Sequence, residues 1–548
     1  MPRLAVYCLL AVLFTMVFLS YSMRHGRLAI GPIDDDCIYM VDGLERIDFL
    51  HTSPKAFINN LLHHPPHSPF STGLAIVAFT VAGPHQWAPY AVNGILVILL
   101  LLAIDYLTSG TSRAARVAAI VFALTFPFTA TLVTEFRPDS AVGLVTAFGL
   151  VLLLRTGPLA ASRNQALFVG FLAAMALLIK PSFAPFTAMS FGVAWLTSAL
   201  LVHNDELRSS SGIKNWLRQI GWYSLPSLVL AMPYYLLSPD ILTYIYNQAF
   251  GRYKAQWLMK DSGVRGILRY YWDGAGGQMM LGRHQYVVVL LGLAAALLSW
   301  KRARKNFRLV AGYLVILGVS YLVPTMTRME NPFFGSNADA LILFAGVLLL
   351  MALFQQADTP GNSARVLQGT AWAAVALSLL VFRWPAPVQF DKGGEWAQAV
   401  NRLGQQIYQT IRDYPASRNA RVFFTAPGPV DDMLLRYHAL VDDLKFRCPN
   451  QHMSSDPEVF RREIDAADFV VASEPQSGLA YDGMIAPNVQ ADALHMAEQN
   501  PGLTELAHFP ALNGKSFHIF VRRDLASTPA EKKKVPFEDP WSPLYARQ

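Results

Sequence analysis

Long runs of apolar residues, separated by short polar connectors, dominate positions 1–383 of this 548-residue chain. A helix needs ~20 mostly apolar residues to cross the hydrocarbon core of a bilayer, and about eleven runs approach that length. The predicted spans are 4–22, 87–108, 116–133, 140–154, 166–180, 183–202, 219–238, 286–300, 309–323, 338–354 and 367–383. The pattern therefore predicts a multi-span α-helical membrane protein.

The pattern changes after residue 383, where apolar content falls and charges of both signs mix. Short runs typical of strands alternate with stretches of helical periodicity. The strand-like runs are 421–426, 467–474 and 517–523, and the helix-like stretches include 394–413 and 430–440. We predict a transmembrane domain over 1–383, an α/β domain outside the membrane over 384–525, and a tail over 526–548.

The connectors predict the orientation of the spans. The short basic connectors 108–116, 155–164, 203–219 and 301–308 all fall on one side, which the positive-inside rule assigns to the cytoplasm. The loop 23–86, with its amphipathic helices, and the α/β domain then fall on the other side. We expect a bacterial inner (plasma) membrane protein whose active site and C-terminal domain face the periplasm.

Composition supports this assignment, since 53% of the residues are hydrophobic and 15% are charged. The net charge of +7 comes from basic residues in the connectors, so it reports topology rather than nucleic-acid binding. Three cysteines give no disulfide framework and no cysteine-based metal site.

Three consecutive aspartates, Asp34, Asp35 and Asp36, begin an amphipathic segment just after the first span. Acidic residues favour helix N-termini, and capping is the structural explanation. One aspartate suffices for a cap, whereas three adjacent carboxylates repel one another. The cluster therefore predicts a catalytic base, a metal ligand or the partner of a cation.

Other ionisable residues recur on the predicted exterior side. They are His64 in "HHPPHSPF", Glu135, Arg137 and Asp139 in "VTEFRPD", Lys180 in "LLIKPSF", and Arg328 and Glu330 in "TRMENPFF". Structural alternatives remain open: a proline turn for the histidine segment, mutual pairing for Arg137 and Asp139, snorkelling for Lys180, and simple surface exposure for Arg328 and Glu330.

In this order the segments resemble the C superfamily of glycosyltransferases (GT-C). The resemblance is to the branch that contains the dolichyl-phosphate-mannose-protein mannosyltransferases and the lipid A aminoarabinose transferase. That family carries D-[DE]-x-x-Y after the first span, then H-P-P, R-P-D and a lysine–proline. The matching residues are Asp35-Asp36-Cys37-Ile38-Tyr39, His64-Pro65-Pro66, Arg137-Pro138-Asp139 and Lys180-Pro181. Asp36 departs from the glutamate common in relatives, and His67 from the hydrophobic residue that usually follows H-P-P.

The resemblance implies a GT-C fold and transfer of a sugar from a polyprenyl-phosphate donor to a glycolipid, polysaccharide or protein acceptor, usually with inversion. It implies Asp35 as the catalytic base, supported by Asp36 or Asp34. The substrate-binding candidates are Tyr39, His64, Glu135, Arg137, Asp139, Lys180, Arg328 and Glu330. A lipid monophosphate leaving group needs no obligatory metal where cations face it. Asp35 and Asp36 would be the ligands of Mg²⁺ or Mn²⁺ if a divalent cation binds.

Two other functions remain open. A transporter or flippase of lipid-linked saccharide would carry charges within its spans, which here are almost free of them. An O-antigen ligase-like transferase with a diphosphate-linked donor would use Arg252, Arg265, Arg269, Arg283 and His284. All three functions require membrane lipids and a lipid-linked sugar as partners, and none involves nucleic acid.

Overall fold

Helices built from the apolar runs form the first of two units in the computed structural model, Met1–Asn401, and a small mixed sheet lies in the second, Arg402–Gln548. The structure describes residues 2–32, 35–63, 65–158, 161–203, 210–238, 241–243, 246, 263–298, 307–328, 331–357, 362–384, 393–415, 417–425, 430–449, 456–474, 487–510 and 516–526. The predicted domain boundary at 383 precedes the division between these units.

The described part of the first unit consists of helices and the short segments that connect them, without a strand. Its α-helices are α1 (Pro2–His25), α2 (Asp35–Thr52), α3 (Pro54–His63), α4 (Pro69–Ala82), α5 (Ala88–Val92), α6 (Gly94–Leu107), α7 (Arg113–Thr125), α8 (Pro127–Thr134), α9 (Pro138–Thr156), α10 (Arg163–Ile179), α11 (Ala184–Thr197), α12 (Ser210–Pro226), α13 (Met232–Leu237), α14 (Gly263–Arg269), α15 (Ala275–Met280), α16 (His284–Leu298), α17 (Phe307–Thr327), α18 (Ser336–Ala357), α19 (Asn362–Val381) and α20 (Gly393–Arg412), which ends in the second unit. Short 3₁₀ turns at Arg27–Ala29, Pro181–Phe183 and Pro332–Gly335 connect some of them.

Among the described residues, seven helices are long and apolar enough to cross a membrane. They are Arg3–His25, Ala88–Leu107, Pro138–Thr156, Pro181–Val202, Phe307–Thr327, Pro332–Gln355 and Ala364–Val381. The chain is therefore a multi-pass membrane protein, and the described part of each predicted span is mostly helical.

The remaining predicted spans differ from simple straight helices. Helices α7 and α8 lie at 61° to each other, and together they have the length and apolar composition of a span. The bend has a local cause: Pro127 disfavours helical backbone at Phe126, which is extended. Spans predicted at 166–180 and 286–300 are shorter apolar helices, and the one at 219–238 contains a π-helical turn at Ser227–Ala231.

Helix α9 lies at the centre of the unit, with nearly all of its side chains buried. It packs against α10, α11 and α18. A Cβ atom on Gly143 would lie 2.6 Å from the backbone oxygen of Ser336, so the missing side chain permits the close approach of α9 and α18. This contact lies one turn from Asp139 and fixes the start of α9.

In the second unit, a four-stranded sheet has the order β1-β2-β4-β3. The strands are β1 (Val422–Phe424), β2 (Phe469–Ser473), β3 (Leu503–Pro510) and β4 (Ser516–Arg522), with helices α21 (Asp432–Val441), α22 (Pro457–Ala466), α23 (Pro487–Gln499) and α24 (Arg523–Ala526). Strands β1 and β2 are parallel, and β4 is antiparallel to both β2 and β3. The predicted strands correspond to β1, β2 and β4, whereas β3 was not predicted.

Replacing Gly143 with alanine should force α9 and α18 apart and lower the free energy of unfolding by about 1–3 kcal/mol. Thermal unfolding of the purified protein in detergent measures the change. Gly192→Ala is the matched control, because no atom lies within 4 Å of the added Cβ position in α11. Equal melting temperatures for the two variants would contradict the close packing at Gly143.

Candidate functional site

The first turn of α2 contains two neighbouring aspartates in different environments. Asp36 is completely buried, whereas the side chain of Asp35 is 37% exposed. Consecutive residues of an α-helix point in directions about 100° apart, because a turn holds ~3.6 residues. The two carboxylates therefore do not share one set of partners, and Asp34 lies outside the described residues.

Asp36 belongs to a buried group that we call the inner ion cluster: Arg27, Asp36 and Glu135. Arg27 Nη2 lies 2.7 Å from Asp36 Oδ2, and Arg27 Nε lies 3.2 Å from Glu135 Oε2. The Tyr90 hydroxyl donates a hydrogen bond of 2.6 Å to the same oxygen of Asp36. One arginine thus neutralises two buried acids from different segments of the chain.

Asp35 belongs to a second group, the outer ion cluster: Asp35, Arg137, Asp139 and Lys180. Arg137 Nη2 pairs with Asp35 Oδ2, and Lys180 Nζ pairs with Asp139 Oδ1. Arg137 Nε also lies 3.8 Å from Asp139 Oδ2. The charges alternate along the cluster, and Asp35 is its most exposed member.

Prolines and helix ends position these side chains. Arg137 has extended backbone before Pro138, which begins α9 and places Asp139 in the first turn of that helix. Lys180 follows the last residue of α10 and precedes Pro181. The Ser68 hydroxyl donates a hydrogen bond of 2.7 Å to the carbonyl of Ile179, which ties the segment after the H-P-P motif to the end of α10.

Aromatic rings cover both cations of the outer ion cluster. The guanidinium of Arg137 lies 4.3 Å from the centre of the Phe333 ring. Lys180 Nζ lies 4.5 Å from the centre of the Phe183 ring and 5.1 Å from that of Phe334. Such contacts stabilise cations and shield them from water.

The electrostatic environment differs between the two clusters. Burial raises the pKa of the Asp35 carboxyl, but the charges of Arg137 and Lys180 oppose it, and the pKa lies below its ordinary value. Burial raises the pKa of Glu135 to about 7, although Arg27 acts in the opposite direction. Asp35 is therefore ionised at neutral pH, whereas Glu135 titrates there.

His67 and Tyr39 lie beside the outer ion cluster, with their ring centres 6.3 Å apart. Tyr39 is buried, with 3% exposed. Burial lowers the pKa of His67, against the nearby charge of Asp35, so the imidazole is neutral at pH 7. The residue that departs from the family pattern after H-P-P therefore faces the candidate base.

The structure brings most of the predicted site residues together. They are Asp35, Asp36, Tyr39, Glu135, Arg137, Asp139 and Lys180. Arg328 is exposed and forms no ion pair with a described residue. Asp34, His64 and Glu330 lie outside the described residues.

Four residues of the site were not predicted from the sequence: Arg27, Tyr90, Phe333 and Phe334. Arg27 lies close to the run of aspartates in the sequence. This is a weak signal, because basic residues that merely flank a membrane span also occur at such positions. The other three carry no local signal, since Tyr90 lies in a span and the phenylalanines lie in an apolar-rich segment.

No metal donor set is formed by the described residues, because no three His, Cys, Asp or Glu side chains are placed to hold an ion. Asp35 and Asp36 pair with different arginines. The divalent-cation site predicted at Asp35 and Asp36 stays a prediction.

No protein-family model and no curated protein sequence matches the chain. Solved structures match its fold, among them ArnT and AftD. ArnT from Cupriavidus metallidurans in the apo state aligns with a TM-score of 0.54 and 12% identity, over 94% of this chain and 98% of ArnT. A variant of the arabinofuranosyltransferase AftD from Mycobacteria aligns with a TM-score of 0.50 and 14% identity, over 95% of this chain and 41% of AftD.

The chain has the GT-C fold. This confirms the predicted fold class, a multi-span helical unit followed by a small α/β unit. Both ion clusters lie in the helical unit, and their residues fall between positions 27 and 180 of the sequence. That segment also contains all four motifs that carried the resemblance.

Replacing Asp139 with asparagine should destabilise the helical unit, because Lys180 then loses its buried partner carboxylate. Breaking one side of a buried ion pair typically costs about 3–5 kcal/mol. Thermal unfolding in detergent measures the loss. Asp273→Asn is the control, since its partner Arg269 is 52% exposed and such pairs contribute ~0–1 kcal/mol. A melting temperature for the Asp139 variant at or above the control would contradict the buried pairing.

Proposed function

We propose that this chain is a membrane glycosyltransferase that moves one sugar from a polyprenyl-phosphate donor to an acceptor hydroxyl. The observation that carries the proposal is Asp35, a partly exposed carboxylate beside two buried cations, Arg137 and Lys180. A carboxylate and a pair of cations are the groups that an inverting sugar transfer from a phosphate requires.

In the proposed reaction, the acceptor hydroxyl loses its proton to Asp35 as its oxygen forms a bond to the anomeric carbon. The bond from that carbon to the phosphate oxygen breaks, and the lipid phosphate leaves with the electron pair. Arg137 and Lys180 face the charge that develops on the phosphate. Displacement from the opposite side inverts the anomeric carbon.

Arg137 has two roles in this scheme. While paired with Asp35 it makes the carboxylate a weak base. A donor phosphate attracts the same guanidinium, so donor binding weakens the pair and raises the basicity of Asp35. The base is therefore activated only when the donor is bound.

The fold supports the proposed activity without naming the sugar. The similarity to ArnT and AftD extends over nearly all of this chain, although the chain spans 41% of AftD. AftD is an arabinofuranosyltransferase. We propose a glycolipid, a polysaccharide or a protein as the acceptor. If the reaction uses a divalent cation, we propose that Mg²⁺ or Mn²⁺ binds at Asp35 and Asp36.

Topology supports a site on the exterior face of a bacterial inner membrane. The ion clusters lie after α1, between α8 and α9, and after α10. The basic connectors 108–116 and 155–164 lie at the opposite ends of neighbouring helices. By the positive-inside rule, the clusters then face the periplasm.

The alternatives have less support. The described ionisable groups of the site gather at helix ends rather than along a pathway through the spans. For a ligase-like site, Arg265, Arg269 and Arg283 are exposed, and His284 is buried beside Phe126 with 5.0 Å between ring centres. Arg252 lies outside the described residues.

Replacing Asp35 with asparagine should reduce transfer by about 10²–10⁴-fold, the usual contribution of a positioned base. Envelope glycans and lipids are measured by mass spectrometry in cells without the gene. The same measurement is made in cells complemented with the wild-type gene, with Asp35→Asn or with Asp48→Asn. Asp48 is an exposed acid of the same helix and serves as the control. A single missing hexose, pentose or uronic acid identifies donor and acceptor. Full restoration by Asp35→Asn would contradict the proposal.

The pH dependence of transfer tests the Asp35–Arg137 pair. The charges of Arg137 and Lys180 keep the pKa of Asp35 below its ordinary value, so Asp35 stays ionised as the pH falls and causes no loss of transfer in the range where an ordinary aspartate titrates. The acidic limb of the pH profile is the fall in transfer rate at low pH. Replacing Arg137 with glutamine removes the positive charge that lowers the pKa of Asp35, and it should move this limb to higher pH by about 1 pH unit or more. A wild-type limb near pH 7 that Glu135→Gln removes would show that Glu135, not Asp35, controls the reaction.

A further inference from the structure

The inner ion cluster joins separate segments of the helical unit through one buried side chain. Arg27 follows α1, Asp36 lies in α2, and Glu135 lies between α8 and α9. Arg27 Nη1 also donates a hydrogen bond of 3.1 Å to the carbonyl of Gly31. The guanidinium is thus fixed on three sides.

The acids that Arg27 contacts are sequence neighbours of the proposed reacting pair. Asp36 follows Asp35 directly, and Glu135 precedes Arg137 by two positions. Holding Asp36 and Glu135 therefore sets the distance between the backbone segments that carry Asp35 and Arg137. Asn93 Nδ2 strengthens one side, with a hydrogen bond of 3.0 Å to the carbonyl of Glu135.

We propose that Arg27, assisted by Tyr90, is a positioning residue that holds Asp35 opposite Arg137. The proposal rests on the proposed function. Arg27 acts through Asp36 and Glu135 and does not contact the reacting atoms, since its side chain is 8% exposed and faces the interior.

The identity of the side chain supports this role. A guanidinium presents several N–H groups in a planar fork and contacts two carboxylates in fixed directions. An apolar group of similar volume is often at least as stabilising as a buried ion pair. Stability alone therefore does not require a buried arginine between two acids. Fixing the positions of Asp36 and Glu135 relative to each other does require one.

Tyr90→Phe tests the role with little risk to folding, because it removes one hydroxyl and leaves the Arg27–Asp36 pair intact. Tyr7→Phe is the matched control: its hydroxyl donates a bond of 2.8 Å to Asp105, away from both clusters. Turnover per folded protein is measured with the polyprenyl-phosphate-sugar fraction extracted from host membranes. We expect about tenfold lower kcat for Tyr90→Phe, an unchanged KM, and no change for Tyr7→Phe.

The acidic limb of the pH profile gives a readout that lost stability alone would not move. Asp35 faces Arg137, Lys180 and His67, and Arg137 keeps its pKa low. If Arg137 drifts away in Tyr90→Phe, the limb should move to higher pH. Arg27→Lys, which keeps the charge but loses the fork, should move it further and lower kcat about 100-fold.

The outcomes separate this role from the proposed function. Wild-type kcat and an unmoved limb for both Tyr90→Phe and Arg27→Lys would overturn the positioning role while transfer continues to depend on Asp35. Transfer that persists in Asp35→Asn, or that is absent in the wild type, would overturn the function and the positioning role with it. A lowered kcat and a raised limb in the Arg27 and Tyr90 variants, with neither change in Tyr7→Phe, support the role.

Discussion

Charges removed from water must be neutralised, and this requirement determines how the site of this protein is arranged. Arg27 lies between two buried acids, and Arg137 and Lys180 both lie near the buried Asp139. Each cation comes from a segment that follows or precedes an apolar helix. The pairing of opposite charges therefore joins the ends of those helices, and the helices in turn keep the charges away from water.

The same requirement explains how neighbouring aspartates acquire different roles. The start of α2 turns Asp36 toward the interior, where its partners among the described residues are Arg27 and Tyr90, and leaves Asp35 partly exposed beside Arg137. The side chain at position 36 must fit the interior, so its length is limited by the distance to Arg27. An exposed carboxylate has no such limit and remains accessible to an incoming hydroxyl.

Features that depend on local pattern were predictable from the sequence. The apolar runs gave the helices, and ordered motifs gave Asp35, Arg137 and Lys180. Contacts between distant segments were not, because nothing near Arg27 or Tyr90 in the sequence indicates that they meet at Asp36. Strand β3 was missed for a related reason: only Leu503 of its eight residues is buried, and Glu505 and His508 are polar and exposed, so the segment lacks the apolar run of a buried strand.

The aromatic rings over the cations add a further constraint on the proposed reaction. Phe333 and Phe334, neighbours in one 3₁₀ turn, cover Arg137 and Lys180 respectively. These cations are therefore largely desolvated in the folded protein, before any donor arrives. A phosphate that binds these cations does not have to displace a full hydration shell from them. Electrostatic attraction between the phosphate and the cations is also stronger because the local dielectric is low. Little rearrangement of water around Arg137 and Lys180 is then needed as negative charge develops on the leaving phosphate. The rings therefore help the two cations to stabilise the transition state of the proposed reaction.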